Sequence, residues 1–314
     1  MTFEPVAWPR VGVGCASLAA PGVSERDADE TLARAIERGV RFFDVAPLYG
    51  GGLGEVRLGR ALRGLPRRDY VLCTKVGVTR PYGQPPTPPG SSTPRSGDRW
   101  DYSRAATRAS IEQSLERLGV AHIDVVHLHD VEDHLDACLE AYAELEALRL
   151  EHKVAMIGIG SNLVAPVATL IGRERFDALL LAGRYTLLDD SGAALIADAA
   201  RRGIAVIAGG AFNSGILARW PQPAPSYAYR PAPPAVVART ARIAAIAARH
   251  GVALPTAALQ FVARNRAILT LLLGPRSADE VDASLDALDA EVPPQLWEDL
   301  AAERDTARAA AQPS

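Results

Sequence analysis

Arg41-Phe42-Phe43-Asp44-Val45-Ala46-Pro47-Leu48-Tyr49-Gly50-Gly51-Gly52 is the stretch that decides how this chain is read. An apolar, aromatic run ends in a carboxylate. A proline and three glycines then turn the chain, and Tyr49 falls inside that turn. This is the pattern of a strand whose C-terminal end opens into a site.

Outward from it, short β-rich runs alternate with longer segments of helical periodicity, which predicts repeated βα units around a parallel sheet. Strands are expected near residues 11–15, 42–44, 71–75, 123–129, 155–160, 178–181, 204–208 and 269–273. Eight such strands close a barrel, so the fold class is α/β, a (β/α)8 TIM barrel. Helical segments are expected at 25–38, 55–62, 104–118, 135–150, 165–172, 192–202, 236–250 and 278–288, with extra pieces at 255–264 and 294–310. Ser24 with Asp27 marks one helix start, and Gly39 and Gly203 mark two ends.

The chain has 314 residues, of which 48% are hydrophobic and 23% charged, enough for one large core. A single domain over residues 1–314 is expected. Two proline-rich connections, 77–102 and 212–234, follow strands and are expected to shape a substrate pocket at the catalytic face.

A formal net charge of −3 offers no footprint for nucleic acid or an anionic membrane. No run approaches the ~18 apolar residues of a membrane span, and no basic segment precedes an apolar one at the N-terminus. Cys15, Cys73 and Cys138 show no CxxC spacing, which argues against a disulfide framework or zinc ribbon. A reduced cytoplasm, a small-molecule substrate and a monomer or small homo-oligomer are the expectations.

Lys75 needs an explanation, because only two of the 34 basic residues are lysines and this one lies inside the apolar run Tyr70-Val71-Leu72-Cys73-Thr74-Lys75-Val76. Taken alone, Asp44 is most simply a turn cap and Tyr49 a packing aromatic. A buried ammonium, however, is rarely tolerated without a carboxylate, and neighbouring strands would bring Asp44 to it. An ammonium beside a phenol lowers the phenol pKa, which would make Tyr49 a general acid or base.

His122-Ile123-Asp124-Val125-Val126-His127-Leu128-His129-Asp130 adds a fourth group. Alternation puts His127 and His129 on one face, with His129 nearer the C-terminal rim. A neutral His129 could orient a substrate oxygen, and His127 reads as structural. The same pattern admits a metal-dependent hydrolase using His127, His129 and Asp130 or His134. That reading leaves Tyr49 and Lys75 without a joint role, so no metal is expected.

These motifs, followed by Ile157-Gly158-Ile159-Gly160-Ser161-Asn162, resemble the aldo-keto reductase superfamily over nearly the whole chain. The resemblance implies a nicotinamide cofactor bound without a Rossmann loop. It further implies Tyr49 as acid/base, Lys75 and Asp44 as its tuning pair and His129 as the substrate-orienting residue. Ser161 and Asn162 resemble the pair that holds the nicotinamide carboxamide. Gly274, Arg276, Ser277 and Glu280 fall where the family binds the adenosine end, with helix-start amides available to phosphate.

Within the superfamily, Leu181 to Leu188, Gly209 to Leu217 and Ala228 to Pro234 resemble aldose 1-dehydrogenases acting on L-fucose and other D-threo-type sugars. Pyridoxal 4-dehydrogenases and L-galactose dehydrogenases look similar there, and a general aldehyde reductase or a non-catalytic regulatory subunit are further alternatives. Ser214 lies in the second of these stretches and joins the cofactor set. Where many members stack a tyrosine on the nicotinamide this chain has Gly209, and where they offer a glutamine it has Ala182; Phe212 would supply the missing face.

NADP-preferring members place an arginine where this chain has Glu280. NAD is therefore expected to be preferred, with NADP possible through Arg276. The short N-terminus leaves little room for the hairpin that usually plugs the barrel bottom.

Overall fold

The computed structural model describes residues 8–79 and 98–311. Its centre is a closed barrel of eight parallel strands: β1 (Val11–Gly14), β2 (Phe42–Asp44), β3 (Val71–Val76), β4 (Ile123–His129), β5 (Val154–Ser161), β6 (Ala178–Ala182), β7 (Ala205–Gly209) and β8 (Ile268–Leu273). Each strand pairs with its successor, and β8 returns to β1 through Val11↔Leu271 and Val13↔Leu273.

Around the barrel lie α1 (Glu25–Glu37), α2 (Leu53–Leu62), α3 (Arg104–Leu118), α4 (Ala137–Leu150), α5 (Val164–Arg173), α6 (Ala193–Arg201), α7 (Pro234–Arg249), α8 (Leu254–Ala263), α9 (Ala278–Asp289) and α10 (Pro294–Ala311). Every expected strand and helix is present, with ends shifted by two residues or fewer. Helix α7 begins at Pro234 because a proline's missing N–H is no loss in the first helical turn. Ser24 and Asp27 form the reciprocal capping box of α1.

The strands bury side chains on both faces. Outward residues such as Phe43, Leu72 and Val126 pack beneath the helices, whereas Phe42, Val71, Cys73, Val125, Leu180 and Ile207 form a separate cluster inside the barrel. Trp8 packs on Phe42, with ring centroids 5.5 Å apart, at the end where the strands begin. Residues 1–7 of the short N-terminus lie outside the described residues, as does the 80–97 portion of the first long connection. The described ends of that connection pair as a ribbon, Val78–Thr79 with Arg99–Trp100.

The seam between first and last units is reinforced outside the sheet. Arg34 of α1 and Arg38 just after it bind Asp282 of α9, the Arg34 bond at 2.9 Å, and Arg38 also reaches Asp286 at 2.8 Å. The thiols of Cys15, Cys73 and Cys138 are buried and unpaired. Among the described residues, no helix is long and apolar enough to cross a membrane.

One close approach sets the width of the barrel below the site. A Cβ on Gly158 of β5 would lie 2.4 Å from His127 Nδ1 and 2.8 Å from the Ala178 carbonyl oxygen. Gly158→Ala is therefore expected to destabilise the protein by about 1–3 kcal/mol through overpacking. Urea unfolding measures this; an unchanged midpoint would show that β5 and β6 can part without loss.

Candidate active site

Asp44, Tyr49, Lys75 and His129 converge at the C-terminal rim of β2, β3 and β4. In the register, Asp44 lies beside Cys73, so Lys75 is the next inward position along β3. The Lys75 ammonium donates to Asp44 Oδ2 at 2.6 Å and to the Val45 carbonyl at 3.0 Å. Lys75 is 2% exposed, so this is a buried ion pair whose partners cannot be separated cheaply.

The turn after β2 delivers Tyr49. Its N–H donates to the Ala46 carbonyl at 3.0 Å, and Gly50, Gly51 and Gly52 take φ of 64°, 63° and 94°, a left-handed run suited to glycine. The Lys75 ammonium lies 4.7 Å from the Tyr49 ring centroid, and the His129 ring meets Tyr49 edge-on at 6.0 Å. A buried network fixes this corner from behind. Glu55 of α2 accepts from Thr74 Oγ1 at 2.7 Å and from Arg117 Nε of α3 at 2.6 Å.

Electrostatics correct one expectation. Burial raises the Tyr49 phenol above its ordinary pKa, and the downward pull of Lys75 opposes this without reversing it. Burial pulls Lys75 down, but Asp44 and Tyr49 outweigh it and hold the ammonium above its usual value. Asp44 is raised by burial, against the pull of Lys75. Burial, with Lys75 adding to it, pushes His129 well below its usual range, so its imidazole is neutral.

His127 is likewise neutral, and among the described residues neither of its ring nitrogens has a hydrogen-bond partner. His134 stacks on Trp100 at 6.1 Å and packs near Tyr102 at 5.5 Å. Among the described residues, no group of three His, Cys, Asp or Glu side chains could hold a metal ion.

The opposite half of the rim carries small residues: Gly160 on β5, Ala182 on β6 and Gly209 on β7. A Cβ on Gly209 would meet nothing nearer than Ala182 Cβ at 3.6 Å, and one on Gly160 nothing nearer than His127 Cβ at 3.5 Å. These small residues keep bulky side chains out of the space beside the quartet, which suits a planar ring such as nicotinamide.

Several of the residues expected to hold a cofactor are already engaged with other groups of the protein. Ser161 Oγ donates to Glu132 Oε1 and accepts from the Leu163 N–H, both at 2.9 Å. The Asn162 carbonyl accepts from Arg184 Nε at 2.5 Å, and Arg184 also pairs with Asp189 at 2.8 Å. Phe212 packs against both outer clusters while staying partly exposed. Ser214 Oγ accepts from the Tyr229 N–H at 2.8 Å.

At the far end, Gly274 and Arg276 are exposed and Ser277 caps α9 by accepting from the Glu280 N–H at 3.2 Å. The Glu280 carboxylate accepts from the Arg276 N–H at 2.8 Å, just ahead of the helix, and the bond to Ser277 already occupies one of the helix-start amides expected to be available. Glu55, Glu132 and Arg184 were not singled out from the sequence. Each acts through contacts between distant segments, and no local pattern marks them.

A concavity of about 800 Å³ opens in the loop after β7 beside Trp220, Ser226 and Tyr229. A second, of about 340 Å³ between Tyr185, Phe261 and Trp297, shares no residue with the quartet.

An eight-stranded barrel with a buried Asp-Lys pair, a phenol and a neutral imidazole at its C-terminal rim defines an oxidoreductase barrel of the aldo-keto reductase type. The Aldo/keto reductase family model matches residues 10–303, and the chain belongs to that family. It is similar to a D-threo-aldose 1-dehydrogenase from a Pseudomonas species, 35% identical over 95% of each chain. A pyridoxal 4-dehydrogenase from Microbacterium luteolum is 33% identical over 93% of each. Among solved structures, the holo form of an aldo-keto reductase from Bacillus halodurans matches with a TM-score of 0.73 and 26% identity, covering 93% of this chain and 91% of that one. The protein is accordingly an NAD(P)-dependent oxidoreductase.

Proposed function

We propose that the protein oxidises the anomeric carbon of a free aldose, of the L-fucose or D-threo type, to the lactone. The observation that carries this reading is the buried Lys75–Asp44 pair held against Tyr49, with neutral His129 edge-on to the phenol ring.

Tyr49 in its phenolate form takes the proton from the C1 hydroxyl, and His129 holds the same oxygen. Asp44 keeps Lys75 charged, and the ammonium favours the phenolate over the phenol. Ser161 and Asn162 would hold the carboxamide, with Phe212 and Ser214 along the covering loop and Gly274, Arg276, Ser277 and Glu280 at the adenosine end. A nicotinamide held by these residues would supply the hydride acceptor for C1, while Tyr49, Lys75, Asp44 and His129 handle the proton.

At the adenosine end the Glu280 carboxylate would repel a 2′-phosphate and accept from ribose hydroxyls. A lower Michaelis constant for NAD than for NADP is expected; the reverse ranking would assign that end to the exposed Arg276.

Following NADH formation with a panel of free aldoses plus pyridoxal tests the substrate. Turnover of L-fucose and related sugars supports the proposal. The similarity to the pyridoxal enzyme favours a second reading with the same quartet, and turnover of pyridoxal alone would select it.

A further inference from the structure

Asp130 follows His129 at the end of β4 and has no part in the proton transfer. Its backbone takes φ of 51°, a left-handed conformation unusual for a residue with a side chain. The surroundings hold it there. The Asp130 N–H donates to the Gly160 carbonyl at 3.0 Å. Tyr102, at the end of the first long connection, donates its hydroxyl to the His129 carbonyl and contacts that of Asp130 at 3.1 Å. Strain maintained in this way beside reacting groups marks a side chain aimed for a purpose.

The carboxylate lies at the mouth of the site. Its Oδ2 is 3.9 Å from His129 Nε2, too far for a hydrogen bond. Burial raises the phenols of Tyr49 and of Tyr229 in the loop after β7, and the Asp130 carboxylate adds to both shifts. Tyr229 is itself left-handed, with φ of 63°. Burial pushes the Asp130 carboxyl up to about 6 against the pull of Lys75, while a third of the side chain still reaches solvent. Among the described residues, no hydrogen-bond donor reaches its carboxylate. The exposed third of the side chain leaves its oxygens able to accept from an incoming hydroxyl group.

A role in holding His129 fits these facts poorly. A carboxylate that oriented the imidazole would sit within hydrogen-bond reach of it, and 3.9 Å is beyond that reach.

We infer that Asp130 is the substrate-selecting residue of this site: its carboxylate accepts hydrogen bonds from hydroxyl groups on the carbons next to the reacting one. This rests on the oxidoreductase reading of the site. A polyhydroxylated substrate satisfies the carboxylate as it enters. A bare aldehyde strips water from it and returns nothing, and such unpaired burial is what lets a polar site reject the analogue that lacks a hydroxyl.

Glyceraldehyde and propanal, which share a carbon skeleton and differ in their hydroxyls, test this in the reducing direction. Asparagine is isosteric with aspartate and tolerates the left-handed conformation, so Asp130→Asn keeps the backbone. The ratio of kcat/KM for glyceraldehyde to that for propanal is expected to fall about 10- to 100-fold in the variant, the loss of charge-assisted hydrogen bonds. A ratio that stays constant overturns the inference. If both rates fall together, Asp130 acts on the chemistry, and if neither falls, it touches no substrate. A wild-type protein that discriminates this pair but oxidises no free aldose would sink the sugar assignment and leave Asp130 in its role.

Discussion

Tyr49→Phe is expected to lower kcat by about 10²- to 10⁴-fold, the range set by removing a positioned acid or base. The substitution deletes one oxygen and keeps the ring that faces Lys75 and His129, so the ion pair beneath it stays formed. Cofactor affinity and the thermal midpoint should hold close to wild type. Steady-state kinetics combined with a cofactor titration separates these effects. Turnover near that of the wild type would remove Tyr49 from the chemistry.

Lys75→Met should have consequences on three levels. Methionine replaces the buried stem but leaves the Asp44 carboxylate without its counter-charge, and one of that carboxylate's oxygens already lacks a partner. Breaking a buried pair in this way destabilises by about 3–5 kcal/mol. Turnover should fall severely, because nothing then favours the phenolate.

The pH profile gives the third signature. Oxidation requires deprotonated Tyr49, so its rate rises with pH through the phenol's pKa. Lys75 pulls that pKa down, and removing the pull moves the rise to higher pH. An unmoved limb would mean that Lys75 serves the fold alone. The double variant Asp44→Asn with Lys75→Met should regain much of the lost stability without regaining turnover, which separates the structural role of the pair from the catalytic one.

The barrel and the quartet were legible in the sequence because both follow from rules that tolerate few exceptions. Apolar runs of strand length bounded by glycines mark buried strands, and an ammonium inside one of them, Lys75, demands a carboxylate, which Asp44 supplies. The direction of the Tyr49 shift was not legible. It is a balance between burial and one nearby charge, and the depth of burial exists only once turn, strand and loop have met. Asp130 entered the sequence reading only as a possible metal ligand and Glu132 not at all; the return of Tyr102 to the Asp130 carbonyl and of Ser161 to the Glu132 carboxylate exists only in the fold. Glu280 reads as a ribose ligand by its position, yet its carboxylate also closes the first turn of its own helix.

The seam between β1 and β8 has a consequence for how the chain comes to be folded. Arg10, just ahead of β1, donates to the Ile268 carbonyl across 258 positions of sequence. The first strand leaves the ribosome early and waits for a partner made near the end of synthesis. Until then the growing sheet has two open edges, each able to pair with the wrong chain. Closure is a late contact of long range, the kind that slows folding. The quartet comes entirely from the first half of the chain, but the ring that holds it in place is finished by the last strand.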